Sequence, residues 1–177
     1  MKKKTKIAIG VLLFAILAAT LVYFMQKTAQ ATVMSIEPKT AQGTVGQNFT
    51  INVEVSDVYD LYGWSFKLTW DSTILEAVNI TEGPFLKSGG ETLFIPRINV
   101  TEGYLTADCT LLGNESITIR NGVLATVQFL VKEGGHCTLG LYDTILADSQ
   151  EQTITHTHVD STFKSFLTVK DMKSFHA

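Results

Sequence analysis

Several signatures of chemistry are missing from this chain. It has no GxSxG elbow, no HExxH pair, no P-loop and no GxGxxG turn. Its 17 carboxylates include no pair in a recognisable glycosidase setting, so catalysis is not expected. Cysteine is scarce, with Cys109 and Cys137 alone, and neither a CxxC nor a Cys/His cluster with zinc spacing occurs. Outside the cytosol such a pair reads as one disulfide, closing a loop of about 29 residues and worth roughly 3–4 kcal/mol in the chain-entropy account. Each cysteine shares the inward phase of its strand, which suits a bridge; two buried free thiols are the alternative.

Acid is absent from the first 31 residues, where Lys2, Lys3, Lys4, Lys6 and Lys27 supply all the charge. The remainder carries nine basic against 17 acidic residues, a net charge of −8. Nucleic-acid recognition starts from a basic face, so that class of partner is excluded. The balance suits a soluble body outside the cell, away from anionic lipid. The N-terminus agrees: a basic MKKKTK precedes an uncharged, mostly apolar run from Ile7 to Met25, followed by Ala29-Gln30-Ala31 as a small-x-small site. The 19 residues of the run exceed a signal-peptide core of roughly 7–15 residues and approach the roughly 20 that span a bilayer. A cleaved signal ending near Ala31 and an uncleaved membrane anchor through residues 7–25 both remain open. The lysines ahead of the run place the N-terminus inside and the body outside.

No helix longer than two turns is evident after residue 31. The chain instead turns on Leu61 to Asp71, LYGWSFKLTWD. Tyr62, Trp64, Phe66, Leu68 and Trp70 alternate with Gly63, Ser65, Lys67 and Thr69, the period-two pattern of a half-buried strand with an aromatic inner face. Other strands are read at Thr32–Ile36, Asn48–Asp57, Ile74–Ile80, Leu93–Val100, Tyr104–Leu112, Val123–Val131, Cys137–Leu141 and Phe163–Val169. Turn signals fall between them, among them Gln42-Gly43 and Gly46-Gln47. Short strands at about ten-residue spacing indicate an all-β sandwich or jelly roll. The organisation expected is therefore residues 1–31 as signal or anchor, 32–169 as one β-sandwich domain, and 170–177 as a tail.

Four segments give the body a family likeness: Gly46-Gln47-Asn48-Phe49-Thr50-Ile51; LYGWSFKLTWDSTILEAVNI from Leu61 to Ile80; GVLATVQF from Gly122 to Phe129; and Leu146-Ala147-Asp148-Ser149. In this order and spacing the chain resembles a cohesin domain from Thr32 to about Thr168; cellulose-binding modules share the fold. The resemblance implies a nine-stranded flattened jelly roll whose 8-3-6-5 sheet, in the family's strand numbering, receives a dockerin, a calcium-loaded helical module on another protein. Calcium is then expected on the partner, and no cofactor on this chain. Strand three falls on Gly63–Trp70, strand five around Leu93–Ile98 and strand six on Tyr104–Leu111. The partner-binding face implied is Gly63, Ser65, Lys67 and Thr69 with Thr106, Asp108 and Thr110. Cellulosomal cohesins use polar residues at the positions of Gly63 and Ser65; here one of them is glycine.

Each other constellation has a plain reading beside the functional one. The threonine-rich outer face is also what strand propensity alone produces. His156, His158 and Asp160 are metal-ligand types that would share one face of an extended segment, but an exposed strand or loop accounts for them. Asp143, Asp148 and Asp160 lack an EF-hand pattern, so no metal site is assigned. Asn48, Asn79, Asn99 and Asn114 each open an Asn-x-Ser/Thr sequon and are candidate glycan acceptors in an exported protein; Asn114, in a polar loop, is favoured. The function expected is an exported surface module that binds a dockerin-bearing partner, linked to extracellular polysaccharide-degrading or surface assemblies. A carbohydrate-binding module on the same fold is the alternative. That alternative needs a row of exposed rings, and here Tyr59 and Tyr104 are the main aromatics off the inward phase.

Overall fold

A computed structural model describes residues 31–113, 117 and 120–166. The candidate signal or anchor segment, Asn114 and the C-terminal tail lie outside the described residues. Among those described, no helix is long and apolar enough to cross a membrane.

Eleven strands form two sheets: β1 Thr32–Glu37, β2 Thr40–Thr44, β3 Asn48–Ser56, β4 Leu61–Thr69, β5 Leu75–Glu82, β6 Thr92–Asn99, β7 Tyr104–Leu111, β8 Gly122–Val131, β9 His136–Asp148, β10 His156–Val159 and β11 Ser161–Phe166. A single turn of helix, α1 Pro84–Lys87, follows β5. The first sheet runs β10-β1-β3-β8-β5 and the second β2-β11-β9-β4-β7-β6. Two passages cross between the sheets. The first breaks at Pro38, between β1 and β2, and the second at Asp160, between β10 and β11. They run in parallel, β10 on β1 and β11 on β2, and so change sheets together. At the crossing the buried Ser161 donates its hydroxyl to the Pro38 carbonyl at 2.6 Å, and Thr162 N–H donates to the Lys39 carbonyl at 3.1 Å. Counting each crossing passage as one strand gives the nine-stranded sandwich expected.

The core is built as the alternation of β4 dictates. Trp64, Phe66, Leu68 and Trp70 are buried between the sheets, where aromatic rings contribute the largest apolar area per residue. Trp64 stacks on Phe66 at 5.4 Å, Trp70 meets Phe129 edge-on at 5.2 Å, and Phe49 stacks between Phe129 and Phe163 at 5.6 and 4.7 Å. The Trp70 indole N–H is satisfied by the Leu75 carbonyl. Tyr62 departs from the expected phase. A register shift between Leu61 and Gly63 puts Leu61 into the core as well, and Tyr62 packs against that core half-buried, with its hydroxyl on the Gly113 carbonyl at 2.8 Å.

The disulfide is corrected: Cys109 and Cys137 are free thiols. Both do lie on inward phases, but on different strands of the same sheet with β4 between them. Cys109 stands level with Trp64 on β4 and, through it, with Leu146 on β9, whereas Cys137 sits at the opposite end of β9 beside Phe163. A bridge needs Cα atoms within about 4.4–6.8 Å, which this register does not allow.

Candidate functional site

The outer face of the second sheet brings the sequence-singled residues together. Antiparallel pairing aligns β9, β4, β7 and β6 in rows: Ala147, Gly63, Thr110 and Leu93; then Ile145, Ser65, Asp108 and Ile95; then Tyr142, Lys67, Thr106 and Arg97; then Gly140, Thr69, Tyr104 and Asn99. All seven residues expected on the partner-binding face, Gly63, Ser65, Lys67, Thr69, Thr106, Asp108 and Thr110, therefore lie side by side. At ordinary strand spacing and rise the four rows cover about 14 by 20 Å.

The middle of the face is polar and fixed by its own contacts. Ser65 donates its hydroxyl to Asp108 Oδ1 at 2.6 Å, a charge-assisted bond across a β4–β7 pair. Lys67 does not stand away from the sheet, because its ammonium lies over the Tyr104 ring, 4.5 Å from the centroid. Gly63, with no side chain, leaves a shallow depression of about 370 Å³ bordered by Tyr62, Ser65, Thr110, Ile145 and Ala147.

The margins are apolar, and these were not singled out in the sequence. Tyr142 and Ile145 on β9 are 53% and 51% exposed; Leu93 and Ile95 on β6 are 48% and 38% exposed. Two apolar rails thus flank a polar strip. The β9 rail was hidden because the strand carries a bulge between the pairings of Tyr142 and Ile145, with Asp143 at φ 48°. The alternation Leu93-Phe94-Ile95, with Phe94 turned in against Trp64, was the available signal for the β6 rail.

Of the remaining candidates, His156, Asp148 and Asp160 are engaged elsewhere. His156 Nδ1 donates to the Ile154 carbonyl at 2.8 Å and its Nε2 faces Thr144 Oγ1 at 3.0 Å. Asp160 accepts from Leu141 N–H, and Asp148 accepts from the N–H groups of Gln150 and Gln152. Among the described residues no three His, Cys, Asp or Glu side chains gather as metal ligands would. The thiols are held in the protonated form. Burial, then the neighbouring Glu82 carboxylate, pushes Cys109 up to about 12, and burial also raises Cys137. Asp71 is shifted down because Thr73 donates both its hydroxyl and its N–H to the carboxylate in an exposed turn.

The model of the cohesin domain family matches residues 34–170, and the chain belongs to that family. No curated protein sequence matches it. Among solved structures it is similar to a non-cellulosomal cohesin from the hyperthermophilic archaeon Archaeoglobus fulgidus (TM-score 0.64, 15% identity, 82% of this chain and 97% of that one). It is also similar to the OlpA cohesin of Clostridium thermocellum, solved in a type I complex with a dockerin (TM-score 0.66, 16% identity, 77% and 100%). A third is the third cohesin of ScaC from Acetivibrio cellulolyticus, solved with the ScaB dockerin (TM-score 0.63, 18% identity, 76% and 99%). At these identities the likeness is one of fold.

Proposed function

We propose that this chain is an exported interaction module that docks a dockerin-bearing partner on the β9-β4-β7-β6 face. The observation that carries the reading is the pair of apolar rails around the Ser65–Asp108 strip. Exposed large apolar side chains gathered on one flat face mark an interaction surface, and fixed polar groups between them set register. Cohesins of the same fold have been solved with dockerins bound. The basic, then apolar, N-terminus supports display outside the cell, where such a module would recruit a partner to polysaccharide-degrading or surface assemblies. A sugar-binding platform is less well supported. Of the rings near this face, Tyr104 is covered by Lys67 and Tyr62 is half-buried with its hydroxyl on Gly113, which leaves Tyr142 as the exposed ring, too few for a row.

The test is capture by residues 32–177 from extracellular proteins of the source organism, with and without a calcium chelator. Recovery of a dockerin-bearing protein only with calcium is the expected result. Retention on a polysaccharide with no protein recovered would replace this reading by the carbohydrate-binding one.

A further inference from the structure

We propose that Asn48 and Asn79 carry N-linked glycans, so that the outer face of the first sheet is the sugar-bearing side of the module. In a strand, residues i and i+2 point the same way, so a sequon in a strand presents its asparagine and its hydroxyl residue together. Asn48 and Thr50 on β3 are both exposed, and so are Asn79 and Thr81 on β5. The two sequons flank one residue of the strand between them: Gln128 on β8 pairs with Thr50 on one side and Asn79 on the other.

Hydrogen bonding separates these two from the other asparagines among the described residues. Asn52 accepts from the Thr126 hydroxyl and donates to Glu54, Asn121 accepts from Asp57 N–H, and Asn99 accepts from Glu102 N–H in the turn after β6. Asn48 and Asn79 have no such partner among the described residues. Asparagine is depleted in strands, so strand propensity does not account for an outward, unbonded Asn79 within β5, whereas it does account for Thr81. Asn99 opens a sequon too, but it is half-buried and its amide is held by Glu102. The selection therefore falls on residues 48 and 79.

The modification is a group transfer from a lipid-linked saccharide phosphate, made by the host's asparagine glycosyltransferase. The asparagine amide nitrogen bonds to the anomeric carbon of the saccharide, and that carbon's bond to the phosphate oxygen breaks. The amide proton is released, the lipid phosphate leaves with the electron pair, and nothing is oxidised or reduced. The inference rests on export and on no other part of the docking reading.

The full chain is isolated from its source organism, its compartment is established by fractionation, and its peptides are analysed by mass spectrometry with fragmentation that reports sugar ions. The expected result is saccharide on the peptides of Asn48 and Asn79, with the Asn99 peptide bare. Thr81→Ala should remove the glycan from Asn79, and Thr81→Ser should retain it. An exported chain bare at both positions, or one glycosylated at Asn99 and bare at both others, overturns the inference while leaving the docking reading intact. A chain confined to the cytosol overturns both.

Discussion

Glu82 is the sharpest place to test how the two sheets are held together. It ends β5 in the first sheet, and its side chain is only 7% exposed. Its Oε1 accepts the Thr92 hydroxyl from β6 at 2.7 Å and the Cys109 thiol from β7 at 3.5 Å, both in the second sheet; its Oε2 pairs with Lys87 of α1 at 3.3 Å. Glu82→Ala removes the acceptor from all three. Losing a hydrogen bond to a charged acceptor costs about 1.5–3 kcal/mol. The Lys87 ammonium is 54% exposed, so its pairing adds no more than about 1 kcal/mol. The expected loss is thus about 2–4 kcal/mol. Glu82→Gln keeps an Oε1 acceptor for Thr92 and gives up only the charge, for roughly 1 kcal/mol. Urea unfolding followed by tryptophan fluorescence reads both, and a cycle with Thr92→Val isolates the inter-sheet bond. If Glu82→Ala unfolds within about 0.5 kcal/mol of the native chain, or Glu82→Gln costs as much as Glu82→Ala, the clasp is not what joins the sheets here.

Three further outcomes follow from the same geometry. The Cys109 thiol is raised in the folded chain, so the proton it keeps favours folding. Its contribution is complete below the ordinary thiol value near pH 9 and falls as pH rises toward about 12; the pH profile of unfolding should flatten there in Cys109→Ala, and alkylation of Cys109 in the native chain should be slow. Gly103 has φ +71°, and a Cβ there would lie 2.5 Å from the Trp70 carbonyl oxygen, so Gly103→Ala should lower stability by about 1–3 kcal/mol in the same urea assay. Asp71 is lowered by its Thr73 bonds, so its stabilising effect is present above the ordinary carboxylate range and is lost as pH falls through the lowered value. An NMR titration should show Thr73→Ala moving the Asp71 carboxyl back toward its usual range.

The sandwich was legible because its inner faces alternate cleanly. Trp64, Phe66 and Leu68 on β4 with Trp70 just beyond its end, and Val127 and Phe129 on β8, are buried as period two requires. Misreadings cluster where a bulge or a distant partner decides. The shift at Leu61 adds Leu61 to the core and leaves Tyr62 only half-buried against it, and the bulge at Asp143 breaks the alternation of β9, whose full extent reaches Asp148 rather than Leu141. Thr40–Thr44 looked like a turn because of Gln42-Gly43, yet it is a strand held by β11 from the far end of the chain. Both cysteines do have inward phase, but whether two inward residues meet depends on sheet order and register, which no local pattern carries. The polar half of the candidate face was readable from strand phase and resemblance. Its β9 rail was not, since Tyr142 lies beyond the readable part of that strand, whereas the β6 rail carried a signal in the alternation of Leu93 and Ile95 with the inward Phe94.

The central claim is that one face of the second sheet is the docking surface. The most direct measurement is calcium-dependent capture of the partner by the native body, by a Ser65→Arg/Ile145→Asp variant on that face, and by a Gln128→Arg control on the opposite sheet, each with its melting curve. All three positions lie on outer faces, so folding should be retained. Capture by the native chain and by the control is expected, with at least a hundredfold loss for the face variant, on the order of 3 kcal/mol. Equal capture by all three would contradict the claim.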